Sequence, residues 1–497
     1  MGKINVLIEV KREQPEAFGM FEAAMDSEIE SLRQGEDIVS SLSGMGVDVL
    51  GSYPPVPMFP EEMVRKGEAF LESVTDRPST RKPSGFAAFD SPETHRDMAA
   101  ESVVVAAEVE RSAIEKLQKK RNVTIYPNSP LSLFCCEHAH AQFESQSAAS
   151  ATASAAASDI GIHPFDLARS SGGTDCRPFR QAVSIETIRT LLGVQRAWDD
   201  GFRGQNIVVG IIDEGVNGQS YPVIDGFRGP NVGLPGSSSI LSHGSMCAAD
   251  ILVAAPAAKL YDYPFLGNQN SGGALAMFQS VLDRRRIDGT PHITNNSYGW
   301  TGRPRREDFP THEIYDLNHP IHRKVREVVA SGCPSFFAAG NCGEDCPSSN
   351  CRASGIGPGI SITASNCLTE VITVAAVNSL NDRIGYSSQG PGNFEDGFER
   401  NKPDISSYSH FFGNFGPGRP GGIGDQPFDS GTSAATPVAA GVGALLMSAF
   451  PELTPQRLKN ALIRGAVNIG APGWDADTGF GVINAAASYM LLRSGSL

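Results

Sequence analysis

Apolar and polar positions along the chain divide it into three zones of different texture. Over 1–134, the short runs INVLIEV (4–10), VDVLGSY (47–53), SVVVAAEV (102–109) and NVTIYPNS (122–129) read as strands. The stretch near 18–33 and RSAIEKLQKK (111–120) carry helical spacing. This gives a β-α-β-β-α-β order for a small α+β, ferredoxin-like domain, interrupted by the Pro-rich YPPVPMFP (53–60) and a polar stretch around 75–97. Residues 135–180 contain the low-complexity tract QSAASATASAAAS and read as a linker and a region open to processing. From 181 to 497 the texture changes again. NIVVGIID (206–213), KLYDYPFL (259–266), HITNNSYG (292–299), SFFAAGN (335–341) and VITVAAVN (371–378) are short, apolar and bounded by turn residues. Helical patterns lie between them, as in GALAMFQSVLDRRR (273–286) and HRKVREVVASG (322–332), the latter closed by Gly332. Strands apolar on both faces that alternate with helices predict a three-layer α/β/α domain around a mostly parallel sheet.

In such sheets functional groups collect at the carboxyl ends of the strands, and Asp213, Asn295 and Asn341 fall at or near such ends. The helix that opens after DSGTSAATP (429–437) adds a fourth polar group. Ser433 stands there among residues too small to cover it, with Pro437 expected in the first helical turn. Taken alone, Ser433 is an ordinary helix N-cap. A hydroxyl becomes a nucleophile only when a base takes its proton and a carboxylate orients that base. IIDEGVNG supplies Asp213 and SHGSMCAADI supplies His243 at the start of a small-residue helix.

The four segments IIDEG, SHGSMCA, FFAAGNCG and SGTSAATP carry Asp213, His243, Asn341 and Ser433 in the order found in the subtilisin-like serine proteases (subtilases, peptidase S8), which the chain resembles over about 181–490. The supporting segments NNSYG, VITVAAVNSLNDRIGYSSQGP, KPDISSYS, LTPQRLKNALIRGA and DTGFGVINAAAS are similar too. The resemblance implies a serine endopeptidase. Ser433 would be the nucleophile, His243 the base, Asp213 its orienting carboxylate, and Asn341 the side-chain donor to the oxyanion. It further implies that Ser297, Tyr298 and Gly299 pair with the substrate backbone, and that Ala338, Ala339 and Gly340 wall the main specificity pocket. A sedolisin would need a glutamate base and an aspartate oxyanion donor, which His243 and Asn341 oppose. Three departures stand out: Glu214 after the aspartate, Ser245-Met246-Cys247 after the histidine, and Ser407-Tyr408-Ser409 where the family has Ala-Pro-Gly. The same acyl-enzyme passed to an amine would make a peptide ligase or macrocyclase, and an inert site would leave a binding protein.

The order of elements in 1–134 resembles the subtilase propeptide, a folding aid and inhibitor, so PLSLFCCEHAH (130–140) is expected along the cleft. The expected partners are therefore a protein or peptide substrate and the chain's own N-terminal domain. The net charge of −14 argues against nucleic acid. No membrane partner is expected either, since the apolar run Val438–Met447 is short of the ~20 residues that span a bilayer. MGKINVLIEVKREQPEAF lacks the apolar centre of a secretory signal, which points to the cytoplasm and leaves export by other routes open. Nine cysteines, five of them at 333, 342, 346, 351 and 367, leave free thiols, local disulfides and metal all open. No cofactor is predicted. Subtilases often bind calcium, yet no loop offers dense, spaced carboxylates. His312, His319 and His322 read as a polar loop, and Cys135, Cys136, His138 and His140 as tail residues.

Overall fold

The computed structural model describes residues 3–11, 38–45, 47–59, 100–134, 174–176, 182–229, 232–265, 269–422 and 427–496. The N-terminal domain consists of β1 (Ile4–Lys11), a helical stretch α1 (38–43), β2 (Val47–Val49), β3 (Val56–Met58), β4 (Ser102–Val109), α2 (Arg111–Gln118) and β5 (Val123–Pro127). Its antiparallel sheet runs β2-β4-β1-β5, with β3 also on β4, which is the ferredoxin-like order with the second strand in two pieces. The helix expected near 18–33 and the polar stretch around 75–97 lie outside the described residues. β4 is apolar at successive positions because both faces are covered. Val103, Val105, Ala107 and Val109 join Leu42, Val47, Ala113 and Leu117 in the domain's own core. Val104 and Ala106, with Leu7 and Tyr126, pack instead into the core of the larger domain.

The larger domain holds β7 (Thr174–Asp175), β8 (Val208–Asp213), β9 (Val223–Gly226), β10 (Lys259–Pro264), β11 (Ile293–Asn296), β12 (Tyr298–Gly299), β13 (Ser335–Ala338), β14 (Ile372–Val377), β15 (Arg383–Ile384), β16 (Gly392–Asn393), β17 (Glu399–Arg400) and β18 (Ile405–Tyr408). β6 (Ser132–Leu133) precedes them. The helices are α3 (Ile185–Leu192), α4 (Gln195–Asp199), α5 (His243–Ala254), α6 (Ser271–Asp288), α7 (Pro320–Ala330), α8 (Thr432–Ala449), α9 (Pro455–Gly465) and α10 (Ala485–Ser494). The main sheet runs β7-β15-β14-β13-β11-β8-β10-β9, with β18 on β14. Its central pairs are parallel and only β14–β15 is antiparallel. Val209, Ile211, Ile293, Phe336 and Val374 face α3, α4, α5, α8, α9 and α10, while Val208, Ile212, Phe337 and Ala375 face α6 and α7. The three-layer α/β/α architecture follows from this alternation.

The domain reaches upstream of the expected boundary at 181, because β7 adds to the sheet and Cys176 is bonded to Cys346. The rest of 135–180 lies outside the described residues, as do Cys135, Cys136, His138 and His140. A second disulfide joins Cys342 to Cys351, and Cys247, Cys333 and Cys367 are buried free thiols. By length and composition α8 matches a membrane span, but 89% of it is buried inside the fold. It is a core helix, apolar all round because neighbours cover all of it.

Candidate active site

Parallel strands carry their carboxyl ends to one edge, and β8 delivers Asp213 there while β13 leads into Gly340-Asn341. His243 is the first residue of α5, whose cap Ser242 accepts a hydrogen bond from Ser245 N at 3.2 Å and donates to Gly215 O at 2.7 Å. The departure at Ser245 ties down the loops ahead of the helix, its hydroxyl accepting from Asn217 N at 2.9 Å and donating to Ser239 O at 2.9 Å. All four expected side chains, Asp213, His243, Asn341 and Ser433, are buried.

His243 Nδ1 lies 2.9 Å from both carboxylate oxygens of Asp213, so Nδ1 carries the proton and Nε2 is left as the basic nitrogen. Glu214 does not turn onto the imidazole. Its carboxylate accepts a hydrogen bond from the backbone N–H of His243. Burial by itself pushes the imidazole down, but the charge and hydrogen bond of Asp213, followed by Glu214 and Asp429, outweigh it and hold His243 above its ordinary pKa. Cys247 packs one turn on, with Sγ 3.7 Å from Asp213 Oδ2, and burial pushes its thiol well up. It is a packed thiol, enclosed at 0% exposure and so screened from reagents.

Ser433 is not the N-cap of α8. Gly431 holds that position at φ +84°, and Ser433 is the second helical residue. Pro437 falls inside the helix and not in its first turn. Lacking an N–H, it leaves the carbonyl of Ser433 without its helical partner, and Ser297 Oγ donates to that carbonyl at 3.2 Å. Ser433 Oγ donates to Ser297 O at 3.0 Å, and His243 Nε2 has no hydrogen-bond partner among the described residues. The resting hydroxyl is thus bonded to Ser297 O and not to the base, and it must leave that partner to give its proton to Nε2.

The segment before residue 135 occupies the cleft. β6 pairs antiparallel with β12, Leu133 opposite Tyr298 and Ser132 opposite Gly299, and Phe134 N donates to Ser297 O at 3.2 Å. Phe134 O accepts from Asn341 Nδ2 at 2.6 Å. The amide is aimed by its other end, since Asn341 Oδ1 accepts from Thr432 N at 3.0 Å and Thr432 Oγ1 at 2.9 Å. A Cβ on Gly431 would lie 1.9 Å from Phe134 O, so only glycine admits this carbonyl. The Phe134 ring fills a slot where a Cβ on Gly299 would come within 2.7 Å of it and one on Gly340 within 3.5 Å. Ala338, the last residue of β13, and Ala339 after it are buried and lead into Gly340.

Several supports have no signature in the sequence. Asn366 Nδ2 donates to Tyr298 O at 2.8 Å and Ala338 O at 2.7 Å, tying the two walls of the slot together. Tyr386 OH accepts from Gly431 N at 2.7 Å and lies 2.9 Å from His410 Nε2, while Ser409 Oγ donates to Gly431 O at 2.9 Å. Ser409, one of the departures from the family, therefore braces the serine's turn. Burial lowers His410 to about 4 and keeps it neutral. Asp250 of α5 and Asp429 ahead of Ser433 form a buried carboxyl pair against Gly413, and burial raises both. Asn295 is buried and donates to Ser297 Oγ at 3.0 Å. His312, His319 and His322 are not an exposed polar loop: His319 caps α7, and burial pushes His319 and His322 down to about 3.

A model of the subtilase family, peptidase S8, matches residues 204–481. The chain belongs to the subtilase family. It is 29% identical over 303 residues to the serine protease AprX of Bacillus subtilis, covering 53% of this chain and 61% of AprX. It is 24% identical over 329 residues to the minor extracellular protease Epr of the same organism, covering 64% and 43%. The chain thus spans about half the length of these two relatives. Among solved structures, fervidolysin of Fervidobacterium pennivorans, a keratinolytic enzyme related to subtilisin, superposes with a TM-score of 0.54 at 16% identity, covering 98% of this chain and 61% of that one. That likeness bears on the fold. The resemblance read from the four motifs and the three-layer α/β/α architecture both agree with this subtilase membership.

Proposed function

We propose that the chain is a serine endopeptidase that works through an acyl-enzyme on Ser433 and first cuts its own chain after Phe134. One observation carries this reading: the Phe134 carbonyl rests on the Asn341 amide while its ring fills the slot beside Gly299 and Gly340. This is how the acyl half of a substrate would lie. Asp213 fixes the Nδ1 proton of His243, and Ser433 Oγ swings off Ser297 O, yields its proton to Nε2 and attacks the Phe134 carbonyl carbon. The oxyanion is held by Asn341 Nδ2 and the Ser433 N–H, both on buried residues. His243 then protonates the amine of Cys135 as the peptide bond breaks, and water attacks the ester by the same route. The slot favours a large apolar residue before the cut. After the cut, Pro130–Phe134 and the apolar face on α6 and α7 keep the N-terminal domain in place as a product-like inhibitor. The two disulfides support work in an oxidising compartment, in place of the cytoplasm expected from the sequence. A fluorophosphonate probe tests the activity. Wild type incorporates one label, at Ser433, and cleaves Pro-Leu-Ser-Leu-Phe peptides, and Ser433→Ala does neither. Equal behaviour of the two proteins would refute the proposal.

A further inference from the structure

The bound segment does not leave the larger domain where β12 ends. Leu131 N donates to Gln269 O at 2.9 Å, and Pro130 bridges Asn270. Ser271 N donates to Ser129 O at 3.0 Å. The side chain of Ser129, six residues before the proposed cut, then meets a pair of opposite hydrogen-bonding groups. His312 Nδ1 lies 3.0 Å from Glu313 Oε2 and accepts from Ile314 N at 3.2 Å, and with that nitrogen as acceptor the proton sits on Nε2. His312 Nε2 lies 3.1 Å from Ser129 Oγ, and Ser129 Oγ donates to Glu313 Oε2 at 2.9 Å. The other oxygen of Glu313 is taken by Ser271 Oγ. One residue further back, Asn128 Oδ1 accepts from Gly272 N at 2.9 Å in the first turn of α6. Glu313 is fully enclosed, and Ser129 is 5% exposed.

A donor and an acceptor converging on one buried hydroxyl define a receptor for a hydroxyl group. We infer that His312, Glu313 and the start of α6 form a far subsite that selects protein substrates carrying a serine or threonine six residues before the cut. The inference rests on the proposed cut after Phe134, which sets the count. Ser129 is the intramolecular occupant, and a substrate in trans takes its place when the N-terminal domain departs. An alanine there removes the hydroxyl between His312 Nε2 and Glu313 Oε2 and leaves that oxygen only the His312 and His319 rings, 3.0 and 4.0 Å away, a loss of about 1–3 kcal/mol, or roughly 5- to 150-fold at ~1.4 kcal/mol per tenfold. A phosphoserine brings its charge against Glu313 and is rejected more strongly.

The test uses the self-processed wild-type chain, once full labelling of Ser433 by the fluorophosphonate probe shows that the N-terminal domain has left the cleft, with three quenched peptides: Asn-Ser-Pro-Leu-Ser-Leu-Phe followed by Ser-Gly-Gly, the same with alanine for its first serine, and the same with phosphoserine there. A fourth peptide begins at proline and omits the far residues. The expected order of kcat/KM is serine first, alanine about 5- to 150-fold lower and phosphoserine lowest. In Glu313→Ala the serine and alanine peptides come within about twofold of each other. If that variant does not fold, the wild-type series stands by itself. Equal kcat/KM for serine and alanine peptides, with the proline peptide still cut after phenylalanine, overturns the far subsite and spares the protease. Cleavage of none of the four overturns both.

Discussion

Replacing Asn341 by alanine isolates the group that meets the Phe134 carbonyl. Its Nδ2 lies 2.6 Å from that oxygen, Asn341 is 1% exposed and Phe134 3%, so no water can take over the contact. A hydrogen bond to a charged acceptor contributes about 1.5–3 kcal/mol, and a preorganised oxyanion donor in a closed site about 2.7–4 kcal/mol. The upper range, carried over from subtilisin itself, applies to a site this dry and corresponds to a loss of roughly 10²–10³ in kcat. Because the bond strengthens as charge develops, KM should move by less than about threefold. The variant also strands Thr432 N and Oγ1, both of which donate to Asn341 Oδ1, so the melting temperature falls, and activity must be measured well below the new transition. The assay is kcat and KM on a Pro-Leu-Ser-Leu-Phe coumarin amide, with probe labelling to count competent Ser433. A kcat within about fivefold of wild type, at full labelling, would falsify the assignment of Asn341.

Three further outcomes follow from neighbouring groups. The base works only when neutral, so the rate falls as pH drops through the pKa of His243, which Glu214 helps to raise. Glu214→Gln should move the acid limb of kcat/KM to lower pH, and an unmoved or opposite limb contradicts the electrostatics. Phe134→Ala gives up about 1.5–3 kcal/mol of apolar burial and should slow self-processing roughly 10- to 100-fold. Phe134→Leu should stay close to wild type, and intact mass over time reads both. Burial raises Asp250 and brings Asp429 up to about 6, so the folded chain holds protons the unfolded chain has released. That stability is present below the unfolded carboxyl pKa and is lost as pH rises through the folded one. Asp250→Asn should therefore lose less melting temperature than wild type between about pH 5 and 8, and parallel losses refute the raised carboxyl pair.

The strands of the large domain were legible because burial on both faces leaves an unbroken apolar run, as in β8 and β14, and their carboxyl ends announced Asp213 and Asn341. Ser433 and His243 were legible through small-residue motifs that a close backbone approach demands. HITNNSYG was read as one strand, yet it breaks at Ser297, where the chain leaves the main sheet and turns to pair with β6. Local apolarity does not encode that change of partner. Asn366, Tyr386 and His410 leave no local pattern because they act through partners far off in sequence: Asn366 through two backbone carbonyls, Tyr386 through the Gly431 N–H, and His410 through the Tyr386 hydroxyl. The histidines at 312, 319 and 322 read as a polar loop, since only tertiary packing against Ser129, Tyr126 and Phe394 respectively buries them. Pro437 was misplaced for a related reason. The helix begins five residues before it, and a contact from Ser297 replaces the bond it removes.

The account turns on the Phe134 carbonyl being the one that Ser433 attacks, and the new amino terminus of the purified protein tests this most directly. End-group sequencing with intact mass should find Cys135 first in the large wild-type fragment and an uncut chain in Ser433→Ala. A large fragment starting elsewhere, or the same fragment from Ser433→Ala, contradicts the account.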